Sequence, residues 1–268
     1  MITFQELINL KTELFNSKKV KLVRHKDSRV EYREFIKNKA SLIEYQKEQS
    51  KPVFKDVDYI IAFEGIEGTK AILFGFFKVG GVVIKDNQYY YDLIELNICE
   101  ELIDRVVIDW GKATITWHQW FDTQIKEVLE ILPKGYIGDF PGLTNFILDF
   151  QELEKLFKNS SANRIWQNHL SSVNGVYLIL DKKTGNHYIG SAYGVNGIWG
   201  RWEYYSKSKH CGNVELEKLC NISDDYHLNF QFTILQSLPS NMSQKEVSDI
   251  ETLYKLKFGS RAFGLNKN

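Results

Sequence analysis

Residues 173–190 read VNGVYLILDKKTGNHYIG. Two short apolar runs, 175–180 and 187–189, flank a polar segment holding Thr184, Gly185 and Asn186, which is the chemistry of a β-hairpin. Side chains alternate along a strand, so Tyr177 separates from Val176 and Leu178, and Tyr188 from Ile189. In an antiparallel pair the two tyrosines can then share one face. On the residues alone, they are an ordinary aromatic cross-strand pair.

Downstream, Ser243 and Glu246 form an S-x-x-E capping box that starts a helix. Val247, Ile250, Glu251, Tyr254 and Phe258 follow at i, i+3, i+4, i+7 spacing, which turns the Glu251 carboxylate towards the apolar side. A buried carboxylate is costly unless it ionises beside a cation or binds one. Between hairpin and helix, Arg201 offers a permanent cation with forked donors suited to phosphate oxygens. A helix-surface arginine is the bland alternative.

Gly175-Val176-Tyr177 and Tyr188-Ile189-Gly190 resemble the two signature triplets of the GIY-YIG nuclease superfamily, with valine in place of the first isoleucine. The likeness continues in order through Arg201 in Gly200-Arg201-Trp202, Glu251 in Asp249-Ile250-Glu251 and Asn266 in Gly264-Leu265-Asn266. It covers residues 174–268. The resemblance implies an endonuclease that hydrolyses DNA to a 5′ phosphate and a 3′ hydroxyl with Mg2+ or Mn2+, Glu251 holding the metal. It makes Tyr177 the general base, with Tyr188 and Arg201 completing the catalytic set.

Where many members carry a histidine after the helix arginine, this chain has Tyr204 and Tyr205, with His210 later; Tyr205 is the supporting candidate. Where members often carry a lysine near the second triplet, Asn186 and His187 precede Tyr188, and Lys182 and Lys183 fall in the hairpin turn. Asn213 either positions substrate or caps the helix that follows. Asn266 completes the supporting set.

The chain has 268 residues, enough for two domains, with 43% apolar residues to build cores and a formal net charge of zero. That neutrality argues against coating nucleic acid through bulk charge. Local basic character remains at Lys18, Lys19, Lys21, Arg24, Lys26, Arg29, Arg33, Lys37 and Lys39, and the candidate DNA contacts are Lys18, Lys19, Lys21, Arg24, Lys182, Lys183, Lys207 and Lys209. The three cysteines form no C-x-x-C pair, so neither a disulfide framework nor a zinc knuckle is expected. No apolar run approaches the roughly 20 residues of a membrane helix, and the start lacks a secretion signal, so a cytoplasmic protein is expected.

The N-terminal part begins with helical spacing over residues 4–15 and a second helix from Asp27-Ser28 to about Lys51-Pro52. Short β-type runs follow at 59–63, 71–79, 89–94, 105–110 and 114–117. Closely spaced strands suggest a small barrel from about residue 53, faintly similar to PUA-like barrels. A helix at 149–157 and a polar linker at 158–163 complete the expected α+β organisation: residues 1–160 as a recognition domain, 164–268 as the nuclease with a small three-stranded mixed or antiparallel sheet (175–180, 187–191, 229–235) flanked by helices. Specificity would come from the first domain, in restriction or defence against foreign DNA, with Trp117, His118 and Trp120 as further surface candidates. A repair or mobile-element nuclease and a non-catalytic nucleic-acid-binding protein are the rivals. One active centre cutting both strands calls for a homodimer or successive binding events.

Overall fold

The computed structural model describes residues 2–26, 39–112 and 116–267. Helices and two sheets make the chain α+β, in two compact units that divide between Pro133 and Lys134. No helix among the described residues is long and apolar enough to cross a membrane.

In the first unit, α1 (Phe4–Asn9) is started by a capping box between Thr3 and Glu6, and it ends well short of residue 15. Strands β1 (Val20–His25), β2 (Glu48–Gln49), β3 (Tyr59–Gly65), β4 (Lys70–Lys85), β5 (Gln88–Glu95) and β7 (His118–Trp120) line up in the order β2-β5-β4-β3-β1-β7. Strand β6 (Val106–Asp109) pairs with β4 and with β8 (Val128–Ile131). The sheet curls into a half-barrel; its strand path runs from β2 to β7 without closing. All pairs are antiparallel except β1 with β3, and α2 (Lys39–Lys47) lies in the crossover that a parallel pair needs. The residues expected to begin that second helix, and the strand expected at Thr114 and Ile115, lie outside the described residues.

Both faces of the sheet are covered at β1 and β3, and the strand period shows it. Leu22, Ile61 and Phe63 enter one core with Phe4 and Trp110, while Val23, Ile60 and Ala62 enter the other with Phe54 and Phe77. Lys21 and Arg24 were expected on a basic surface; they fall on β1, a strand the sequence reading did not foresee. Instead Lys21 and Arg24 are buried, Lys21 Nζ donating to the Val53 carbonyl at 2.7 Å and Arg24 Nη2 to the Gly68 carbonyl at 3.0 Å. A strand with every residue buried takes its cations inside with it; Lys18 and Lys19 stay exposed.

The second unit contains β9 (Leu148–Asp149), α3 (Phe150–Lys158), α4 (Arg164–Ser171), β10 (Val173–Asp181), β11 (His187–Ala192), α5 (Gly197–Ser208), α6 (Val214–Cys220), β12 (Phe230–Pro239), α7 (Gln244–Phe258) and α8 (Ser260–Phe263). The sheet is four-stranded and wholly antiparallel in the order β11-β10-β12-β9, one strand more than expected. The division at residues 160–164 is corrected by the same segment: Leu148, Phe150, Leu153 and Leu156 are buried in this unit's core, and β9 pairs with β12. Polarity alone marked 158–163 as a linker, whereas the apolar face of α3 decides where the segment packs.

Helices cover both faces. Phe150, Trp166, Trp202 and Leu216 pack with Tyr177, Ile179 and Phe232 on one side; Val247 and Ile250 pack with Val176 and Ile189 on the other.

Candidate active site

The expected hairpin forms as β10 and β11, with Tyr177 opposite Gly190 and Tyr188 opposite Ile179, so both tyrosines lie on the face covered by α5. Gly190 leaves the space that Tyr177 uses: a Cβ there would stand 2.5 Å from the Tyr177 hydroxyl. Gly197 opens α5 with φ +45°, and a Cβ there would meet the Val173 carbonyl at 1.9 Å, so only glycine lets the arginine helix start this close to β10.

Strand β11 is an edge strand, and side chains from both faces of the sheet can meet around it. Helix α5 approaches from the tyrosine face and α7 from the other. Between them opens a cavity of about 540 Å³, lined by Tyr188, Ser191, Arg201, Tyr204, Ser248 and Glu251 among others.

Behind the cavity wall the phenols form a cluster. The Tyr177 hydroxyl donates to the Tyr205 hydroxyl at 3.3 Å and accepts from Arg201 Nε at 3.3 Å. Tyr177 and Tyr205 are fully buried. Burial pushes the Tyr177 phenol above its ordinary range, neighbouring Tyr188 pushes the same way, and the Arg201 charge opposes both. Tyr188 is raised by burial and then by the Glu251 charge, again against Arg201. Arg201 therefore acts as the cation of a buried phenol cluster as well as part of the cavity wall.

Helix α7 begins at the capping box read from the sequence, with the Ser243 hydroxyl accepting from the Glu246 amide. One turn apart on it, Lys255 Nζ lies 2.8 Å from Glu251 Oε1, and the Ser191 hydroxyl donates to Glu251 Oε2. Sequence reasoning missed Lys255 and Ser191. The i, i+4 spacing of Glu251 and Lys255 was legible; the burial of the lysine, 7% exposed, was not.

The supporting residues divide. Tyr205 joins the cluster. Asn213 is a helix cap, its side chain accepting from the Leu216 amide at 2.9 Å. Asn266 is fully buried and clamps β11, accepting from the Ile189 amide at 2.9 Å and donating to the Ile189 carbonyl at 2.8 Å. His187 bonds the Phe258 carbonyl at 3.2 Å and packs edge-on against the Phe258 ring, off the cavity wall. None of Lys182, Lys183, Lys207 and Lys209 lines the cavity. Lys207 pairs with Glu203 at 2.6 Å, Lys209 donates to the Asp224 carbonyl at 3.0 Å, and Lys183 stands over the Tyr226 ring at 5.2 Å.

Among the described residues no group of three or more His, Cys, Asp or Glu side chains could hold a metal. Glu251 with the Ser191 hydroxyl is an oxygen-only donor pair on an open cavity. The Lys255 ammonium holds the other carboxylate oxygen, so a hard divalent cation bound here would rely on Glu251 together with its own water and substrate phosphate. The chain matches no protein-family model, no curated protein and no solved structure.

Proposed function

We propose that the second unit is a divalent-metal-dependent DNA endonuclease of the GIY-YIG type. The observation that carries the reading is the convergence of Tyr188, Arg201 and Glu251, from one strand and two helices distant in sequence, on a single cavity wall. A phosphodiester hydrolase needs a proton acceptor for water, fixed positive charge where the phosphorane gathers negative charge, and an anchor for a metal. The three side chains supply that set.

Arg201, fixed by the Tyr177 hydroxyl, holds the phosphate oxygens with its remaining guanidinium donors. Of the two hairpin tyrosines only Tyr188 lines the cavity, beside Tyr193 and Tyr204, so of that pair it is the one that meets the attacking water; Tyr177, one layer behind, positions Arg201. This moves the base from Tyr177, where the family resemblance puts it, to Tyr188. Glu251, oriented by Ser191 and Lys255, would hold Mg2+ or Mn2+. Such a cation would supply positive charge to the scissile phosphate and would offset the carboxylate charge that, after burial, raises Tyr188. The first unit would give site selectivity, in a restriction or defence role.

Incubating the full chain with Mg2+ or Mn2+ and a panel of unmodified, methylated, hydroxymethylated and branched DNA tests the reading. Metal-dependent cutting to 5′ phosphate ends, stopped by EDTA and absent in Glu251→Gln, is expected. Cutting by Glu251→Gln at the wild-type rate rules the site out, and preference for branched DNA selects a repair nuclease.

A further inference from the structure

The first unit holds a cavity of about 560 Å³ that the cleavage reading does not use. Its wall includes Arg24 and His25 of β1, Tyr45 of α2, and Glu48, Gln49 and Trp117. That volume falls within the range of small-molecule sites. Three rings converge there: His25 and Tyr45 have centroids 6.4 Å apart at 72°, and His25 and Trp117 6.5 Å apart at 40°. Trp117 is braced edge-on by buried Phe54 at 6.2 Å, and His25 is held by Gln46. The rings therefore offer flat, fixed apolar faces.

The polar groups point to a particular kind of ligand. Arg24 contributes a permanent charge to the wall; its Nη2 donates to the Gly68 carbonyl at 3.0 Å, and its Nε is buried beside Gly65. Lys26, beside Arg24, donates to the Ile66 and Gly68 carbonyls. Gln49 can donate and accept at the edge of a ligand ring, Glu48 can accept from an exocyclic amino group, and Trp117 provides a stacking face.

We propose that this cavity binds a single nucleobase, stacked on Trp117 with an acceptor edge towards Arg24. The site is independent of the cleavage reading, because binding there needs neither metal nor Glu251. The base can belong to a free nucleotide or can be turned out of a duplex, and two measurements on the full chain separate these sources.

The first titrates the four deoxynucleoside monophosphates, with 5-methyl- and 5-hydroxymethyl-dCMP, against tryptophan fluorescence in EDTA. The second mixes the chain, carrying Glu251→Gln, with duplexes holding 2-aminopurine at one position and reads the rise in fluorescence on unstacking. Saturable quenching by at least one monophosphate, weakened at least tenfold by Tyr45→Ala and by Arg24→Met, is expected for a free nucleotide. A 2-aminopurine rise lost in the same variants, without monophosphate binding, assigns the site to a base within DNA. Circular dichroism of Tyr45→Ala, where the wild-type side chain is about half exposed, checks that the fold is intact. The proposal is overturned if neither signal appears, or if both variants retain the wild-type signal.

Discussion

The Lys255 ammonium lies 2.8 Å from Glu251 Oε1, one turn along the same helix, with the lysine side chain 8% exposed and the glutamate 16%. Removing the carboxylate would leave a buried cation without its counter-charge. Breaking such a pair from one side costs about 3 kcal/mol. Glu251→Ala should therefore lower the melting temperature clearly, and Glu251→Ala with Lys255→Met should recover most of that loss while neither cuts DNA. If Glu251→Ala melts with the wild type, the ion pair has no structural part.

The two tyrosines should separate in single-turnover rates. Tyr188→Phe removes the hydroxyl on the cavity wall and should slow cutting about a hundred- to ten-thousand-fold, the usual range for a lost general base. Tyr177→Phe removes a buried hydrogen-bonded hydroxyl, so it should cost about 1 kcal/mol of stability and slow cutting less, through a looser Arg201. The opposite order of rates would return the base to Tyr177.

Alkaline pH should unfold the second unit. Tyr177 and Tyr205 are raised in the folded chain, chiefly by burial, whereas in the unfolded chain they ionise near the free-phenol value of about 10. Below that value both states keep their protons and stability is flat. Above it the unfolded chain loses protons first, so stability falls as pH rises. Phenolate absorbance from the buried tyrosines should appear together with the loss of tertiary circular dichroism; ionisation of all tyrosines in a still-folded chain would contradict the burial.

Acid should act on the first unit with the opposite sign. Burial holds the His25 imidazole below its ordinary value, against the raising effect of Gln46. Its contribution is present above about pH 6.5, the unfolded value, and is lost as pH falls through the folded one. His25→Gln should flatten the acid limb of a stability profile followed by tryptophan fluorescence. An unchanged limb would place the acid sensitivity elsewhere.

A fragment of residues 134–268 should fold, and one of residues 164–268 should not. The shorter piece lacks Leu148, Phe150, Leu153 and Leu156, all buried in the unit's core, and removing even one such side chain typically costs 2–5 kcal/mol. Far-ultraviolet circular dichroism and chemical denaturation of the two fragments decide it. A cooperative transition in residues 164–268 would restore the boundary at 164.

Short-range chemistry was readable in the sequence. The hairpin of Tyr177 and Tyr188 and the capping box at Ser243 and Glu246 rest on neighbours close in sequence, where spacing sets geometry. What the sequence left open was settled by pairings between distant segments. Strand β9 joins β12 across some eighty residues and carries α3 into the second unit; β1, rich in Lys and Arg, is drawn into the middle of a sheet between β3 and β7. The Glu251 carboxylate meets Ser191 only because β11 is the sheet's free edge and α7 packs behind it. Such choices depend on which apolar faces find each other, a sum over many weak contacts that no single stretch of residues contains.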